Sequence, residues 1–326
     1  MKSLLFTFMM FFSCLQVATA LPNSPQGIFD LLTEDEVPEL VLAINYDELE
    51  SVRMNEEFID ATLTEGTTTH NLEIRVRGRF RRTTCTMPPL KLKFDKQWLR
   101  AAGLNRHNDF KLVTHCTQDQ AGQEALLREQ LAYELYATIA GEAALRTELV
   151  KVTYVNTVDG STESSYAILI EDIDDLEDRL AAHKLDNIYG TSYDRFTNAE
   201  VVSLFQYMIG NTDYSLSMGR NVKLVEGENE EVTAVPYDFD FSGIVSASYM
   251  RLRTDLGQDS PHDRVWIWEL NEEPQLEAAT QHFLDLEEQL LEQVENYHEL
   301  SNGSRREIKN FLKGFFRDLD HNRVTK

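Results

Sequence analysis

Three groups of residues in this 326-residue chain have the types and spacing to do chemistry. The first is Tyr237-Asp238-Phe239-Asp240-Phe241-Ser242-Gly243. Side chains alternate between faces in an extended segment, so Asp238 and Asp240 are expected on one side and Tyr237, Phe239 and Phe241 on the other. Two oxygen ligands held this way suit Mg2+, which accepts few protein carboxylates and completes its octahedron with phosphate and water. A half-buried strand with solvent-facing acids gives the same pattern. The second group is Asp213 and Asn221, a carboxylate in a loop after a helical run and an amide a few residues on. These are a candidate proton acceptor and a candidate metal ligand, though both residue types also form turns. The third group is a basic island. Residues 75–100 hold Arg75, Arg77, Arg79, Arg81, Arg82, Lys91, Lys93, Lys96 and Arg100 against a single acid, Asp95, in a chain whose net charge is -24. Arginine forks and lysine point charges there would hold phosphate oxygens. Pairing with carboxylates of the acidic remainder is the alternative.

Strands and helices must carry these groups. Leu72-Glu73-Ile74-Arg75-Val76-Arg77 and Leu90-Lys91-Leu92-Lys93-Phe94 alternate with period two and read as strands, as do Leu40 to Ile44 and Asp109 to Val113. Leu126, Leu127, Leu131, Leu135 and Ile139 recur at helical spacing before Gly141. Strands at Leu149 to Val155 and Ser165 to Ile170 flank Asp159-Gly160, a hairpin signal. The acidic run Glu171 to Asp178 reads as a helix start rather than a calcium loop, whose spacing it lacks. Helices are expected over Ala199 to Ile209, over Pro274 to Tyr297, and after a capping box at Ser304-Arg305-Arg306-Glu307. The outline is a strand-rich part over 40–173 and a helix-rich part over 174–326.

The chain opens on Lys2, an apolar run from Leu4 to Phe12 and Ala18-Thr19-Ala20, the three parts of a secretory signal over 1–20 cleaved after Ala20. A lipid-modified N-terminus at Cys14 is the rival reading. A Pro-spotted tether follows over 21–39. No stretch reaches the roughly 18 apolar residues of a membrane-spanning helix, so an exported periplasmic or extracellular protein is expected. The strong negative charge disfavours nucleic acid as a partner of the whole surface. Export leaves Cys85 and Cys116 as a pair in an oxidising setting, and a disulfide between them is expected. The nucleophile elbow G-x-S-x-G, the phosphate loop G-x-x-x-x-G-K-[ST], H-E-x-x-H and C-x-x-C are all missing from the sequence.

In chain order the three groups resemble something known. From about Leu72 to Gly243 the sequence resembles the CotH family of spore-coat-type secreted kinases. The resemblance lies in Arg77-Gly78, Leu90-Lys91-Leu92-Lys93-Phe94, Leu127-Arg128-Glu129-Gln130-Leu131-Ala132-Tyr133, Tyr166 to Glu171, Asn211-Thr212-Asp213 and Tyr237-Asp238-Phe239-Asp240. More closely, Arg77-Gly78-Arg79-Phe80-Arg81, Cys85, Pro88-Pro89-Leu90 and Lys111 to Cys116 resemble a set of exported bacterial proteins that share this pattern.

The family resemblance implies an α+β, two-lobed protein-kinase-like fold with a β-rich N-terminal lobe and a helical C-terminal lobe. It implies a phosphotransferase using ATP with Mg or Mn on a protein or other extracytoplasmic hydroxyl. Asp213 would accept the proton of the attacking hydroxyl, and Asp238 would bind metal with Asp240 and Asn221 in support. Lys91 or Lys93 would contact phosphate with Arg77 beside it, and Glu129 or Glu134 would be the helical partner. The loop Arg-Gly-Arg-Phe-Arg-Arg departs from the family's Arg-Gly-Asn-Ser type, and Met87-Pro88-Pro89 stands where a lysine is frequent. A catalytically inactive scaffold or anion-binding protein of the cell envelope is therefore the second expectation.

Overall fold

Period-two alternation in the N-terminal half closes into a barrel. The computed structural model describes residues 26–34, 37–185 and 188–325. The expected signal, with Cys14 and its cleavage site, lies outside them. Strands β1 (Glu39–Ile44), β2 (Ile59–Glu65), β3 (Thr68–Val76), β4 (Leu90–Phe94), β5 (Asp109–Thr114), β6 (Thr147–Asn156) and β7 (Thr162–Ile170) run in the order β1-β2-β3-β4-β5-β7-β6 and close. All pairings are antiparallel except β1 with β6, where Leu42 lies opposite Tyr154 in parallel register. The apolar half of the alternation points inward. Leu42, Ile74, Leu92, Leu112, Val152 and Leu169 share one buried core.

The helices in chain order are α1 (Ile28–Leu32), α2 (Tyr46–Ser51), α3 (Arg81–Thr84), α4 (Lys96–Ala101), α5 (Gln120–Ala140), α6 (Ile173–Arg179), α7 (Ala199–Ile209), α8 (Leu276–Asp285), α9 (Glu287–Asn296) and α10 (Asn302–Asp320). A small sheet of order β10-β9-β8 is made by β8 (His183–Lys184), β9 (Val222–Glu226) and β10 (Val232–Pro236). Within the stretch read as a tether, α1 buries Ile28, Phe29 and Leu32 in the barrel core. Strands β5 to β7 are apolar on their outer face as well. Val113, Leu149, Ile168 and Ile170 belong to a second core with α5, the small sheet and the C-terminal helices. Helix α5 lies between these layers and is buried from Leu126 to Tyr133, where the polar Arg128, Glu129 and Gln130 are buried along with its apolar residues.

The two-lobed protein-kinase-like fold does not form. A closed seven-stranded mixed barrel, a three-stranded sheet and helices stand in its place. The cause is a pairing between residues 112 apart, such as Glu39 with Lys151, which joins β1 to β6 and removes the open edge of the sheet. The general α+β content is as expected.

Local signals fared better where one turn or cap decides them. Asp119 caps α5 by accepting the Gly122 N–H at 2.8 Å, and Gly141 ends it at φ 55°. The hairpin at Asp159-Gly160 forms, with Gly160 at φ 75°. The run from Pro274 to Tyr297 is two helices that meet at Leu286. The expected capping box is not used. Ser301 caps α10 by accepting the Ser304 N–H, while Glu307 pairs with the buried Arg128 at 2.9 Å. Cys85 and Cys116 form the disulfide, with Cα atoms 4.3 Å apart across a separation of 31 residues. It ties the end of α3 to the end of β5. Among the described residues no helix is long and apolar enough to cross a membrane.

Candidate functional site

The backbone after α7 brings the second group of residues to the third. Gly210 ends α7 in the left-handed region at φ 67°, and its carbonyl accepts the Gly243 N–H at 3.0 Å. A side chain at Gly243 would meet the Pro261 carbonyl at 2.4 Å, so glycine is what lets the Pro261 segment close over this turn. Asn211 accepts the Asp213 N–H at 2.9 Å and so sets the loop that carries Asp213. The chain then turns through the paired Ser215 and Arg220 to Asn221, at φ 52°. The Asn221 amide donates to the Asp213 carboxylate at 3.0 Å and to its carbonyl at 2.7 Å. The carbonyl of Asn221 accepts the Tyr237 N–H at 3.0 Å, which extends the β9–β10 ladder and brings Asn221 beside Asp238.

Asp238 is not in extended backbone. It sits at φ 64°, in a region a residue with a side chain seldom occupies, and its N–H is held by the Tyr133 hydroxyl at 2.8 Å. The one-face arrangement expected for Asp238 and Asp240 is therefore lost. Phe239 is fully buried against Tyr133 and Phe205. Asp240 turns inward to Arg81, whose Nε donates to it at 2.9 Å. The same guanidinium reaches Glu129 at 2.6 Å and lies 3.7 Å from Asp238. Burial pushes the Glu129 and Asp240 carboxyls up, Arg81 pulls both down, and Asp238 raises both again, with Asp240 also raising Glu129. Glu129 thus has an arginine partner rather than a lysine.

The expected lysines are engaged elsewhere. Lys91 pairs with Asp109 at 2.6 Å, and Lys93 pairs with Glu73 at 2.9 Å while its Nζ lies over the Phe58 ring. Arg75 pairs with Glu56. Much of the basic island is thus neutralised by carboxylates, the alternative reading of that island. Among the described residues, no carboxylate forms an ion pair with Arg77, Lys111 or Lys223, which lie near these carboxylates. Lys111 Nζ is shielded from solvent, has no hydrogen-bond partner, and lies 4.9 Å from the centre of the Tyr237 ring. Lys223 Nζ lies 5.2 Å from the same ring. Burial, then Arg77, then Lys223 push the Lys111 amine down to about 7, while Asp238 and Asp172 pull it up. Sequence reasoning quoted Lys111 within a motif without giving it a role. Its position opposite Lys91, one strand nearer the closing side of the barrel, was the missing information.

The outcome is a site with two halves: Arg77, Lys111 and Lys223 gather around Tyr237, and Asp213, Asn221 and Asp238 stand beside them. Asp213 and Asp238 keep 37% and 42% of their side-chain surface exposed, enough to meet a ligand. Burial raises the Asp213 carboxyl, Arg220 at 3.4 Å lowers it, and Asp238 raises it. Asp238 and the side-chain oxygen of Asn221 are the groups that could hold one Mg2+ or Mn2+. Asp240 does not fit as a ligand, since Arg81 holds it. Among the described residues no group of three or more His, Cys, Asp or Glu is arranged to hold a metal. A surface concavity of about 820 Å3 lies away from these residues between α8, α9 and α10. Comparison with known proteins gives no match to a family model and none to a curated sequence.

Proposed function

We propose that this site transfers a phosphoryl group from a nucleotide such as ATP to a hydroxyl, with one divalent cation, as an exported phosphotransferase. The observation that carries the reading is the segregation of charge. A chain with 55 acids and 31 bases keeps three mutually repelling cations, Arg77, Lys111 and Lys223, together and, among the described residues, without carboxylate partners at hydrogen-bond distance. Buried or half-buried cations left unneutralised are stabilised by an anionic ligand. The motif resemblance to CotH proteins points to the same chemistry, on residues rather than on fold.

In this reading Arg77, Lys111 and Lys223 hold phosphate oxygens. Asp213 accepts the proton of the acceptor hydroxyl, and the Asn221 amide at 3.0 Å fixes the rotamer of that carboxylate. Asp238 and Asn221 would hold the divalent cation, which supplies charge neutralisation at the transferred group. Arg81 orients Asp238 and Asp240 from behind.

The test incubates the exported protein with γ-labelled ATP, Mg2+ or Mn2+ and a generic protein acceptor, and records melting temperature with and without nucleotide. Transfer lost in Asp213→Ala, and a metal-dependent rise in melting temperature lost in Asp238→Ala, are expected. No transfer together with no nucleotide-dependent rise overturns the reading. A rise without transfer supports the second reading, an anion-binding scaffold, which is favoured by the capture of Asp240 and Glu129 by Arg81.

A further inference from the structure

Helix α5 carries a second set of polar side chains one residue along from those it gives the phosphoryl-transfer site. Glu129 and Tyr133 reach Arg81 and Asp238, whereas Gln130 and Glu134, also four residues apart, make the neighbouring row. The Gln130 amide donates to the Glu134 carboxylate at 3.1 Å. Gln293 of α9 donates to the same carboxylate, and the Thr138 hydroxyl fixes that amide by donating to its oxygen at 2.9 Å. Two more acids converge on Glu134 and repel it, Glu148 of β6 and Glu299 just after α9. Among the described residues no cation pairs with Glu134 or Glu148.

Two further oxygens point into these acids without a partner. Tyr297 is 7% exposed, and its hydroxyl is out of water, makes no hydrogen bond, and feels Glu134, Glu299 and Glu148 together with Tyr166 of β7. Gln130 is 2% exposed, and its side-chain oxygen is buried and unpartnered while its nitrogen is spent on Glu134. Half-buried Glu134, Glu148 and Tyr166 and the exposed Glu299 open the cluster to solvent.

We infer that this cluster binds a primary ammonium group, that of a small alkylamine or of a lysine side chain. The inference does not rest on the phosphoryl-transfer reading. Each group in the cluster offers an oxygen that accepts, and three of them are acids, so the matching ligand is cationic and donates hydrogen bonds. An ammonium brings three N–H donors, enough for Glu134, the Gln130 oxygen and the Tyr297 hydroxyl. Tyrosine rings also take a cation on their faces. A metal ion instead needs its ligands gathered at one point, and among the described residues no three acids are so arranged. Burial, then Glu134, push the Glu148 carboxyl up to about 7, and a bound cation relieves that repulsion. The acids of the concavity between α8, α9 and α10 differ, since Lys309 and Lys313 stand among them.

The experiment is calorimetry and melting temperature of the full exported chain at constant ionic strength. The probes are butylammonium chloride, a blocked Gly-Lys-Gly peptide, tetramethylammonium chloride and calcium chloride. Butylammonium or the peptide is expected to bind saturably and about tenfold more tightly than tetramethylammonium, which has the charge but no N–H. Whichever of the two binds more tightly names the source of the ammonium. Glu134→Gln/Glu148→Gln is expected to raise the melting temperature without ligand, by removing the repulsion, and to weaken amine binding about tenfold. Tyr297→Phe keeps the ring, and is expected to weaken amine binding about threefold while leaving the nucleotide-dependent melting shift unchanged. No saturable amine binding, tetramethylammonium binding as tightly, calcium displacing the amine at lower concentration, or an affinity unchanged in both variants each overturns the inference.

Discussion

Replacing Arg81 with methionine tests whether the buried ion cluster is what holds the Asp238–Asp240 segment. The guanidinium is 8% exposed, and the carboxylates of Glu129 and Asp240 are 2% and 5% exposed, so removal strands two acids out of water. Breaking one side of a buried pair costs about 3–5 kcal/mol. The stranded acids have an escape, since each can take up a proton, and this makes the cost depend on pH. Arg81 lowers both carboxyls, so the variant raises them further. A carboxyl raised in the folded state contributes stability below its unfolded value, and loses it as pH climbs toward the folded one. The variant should therefore lie closest to the wild type near pH 5 and fall away toward pH 8. The gap should widen by at least about 1.4 kcal/mol, the free energy of one pKa unit. Urea unfolding at pH 5, 6.5 and 8 measures it. A loss under about 1 kcal/mol at pH 8, against the 3–5 expected, refutes the reasoning. So does a loss independent of pH.

Lys111→Met should stabilise the apo protein by about 1–3 kcal/mol at pH 7, because it removes an amine that burial and two cations hold down to about 7. The native chain binds fewer protons here than the unfolded chain between pH 7 and the ordinary lysine value, so the advantage should shrink as pH rises through that window, measured by urea unfolding. Calorimetry of phosphate or nucleotide binding at pH 8 in buffers of different ionisation enthalpy should show proton uptake in the wild type and none in Lys111→Met. Reducing Cys85–Cys116, or replacing both by alanine, should cost about 2–4 kcal/mol in urea unfolding. Tyr133→Phe removes the acceptor of the Asp238 N–H and should cost about 1–3 kcal/mol. Its effect on the metal-dependent melting shift should exceed that of Tyr136→Phe, whose hydroxyl reaches a carbonyl only at 3.5 Å.

What the sequence made legible follows the range of the interaction that decides it. Alternation in Leu72 to Arg77 and Leu90 to Phe94 named the strands, and Asp159-Gly160 named the hairpin, because a pleat or a turn is settled within a few residues. Closure of the barrel was illegible, since Glu39–Ile44 carries no mark that says its parallel partner is Thr147–Asn156. The same holds within the site. Asp213 and Asn221 were legible as a pair because eight residues and one small loop join them. Asp238 and Asp240 were misread as equivalent because alternation presumes extended backbone, and Asp238 at φ 64° breaks it.

That break gives the two carboxylates different partners. A strand would have left both acids facing water with equal claims on a cation. The left-handed turn at Asp238, fixed by the Tyr133 hydroxyl, leaves one acid partly exposed and delivers the other to Arg81. Arg81 comes from a loop of the barrel that the disulfide ties to β5, the strand of Lys111. The cationic half of the site and the ion cluster behind the acidic half therefore share one covalent anchor. Loosening that anchor should disturb both halves together. If the double cysteine variant lost the metal-dependent melting shift yet kept proton uptake on phosphate binding, the two halves would be independent, and this account of the site would be wrong.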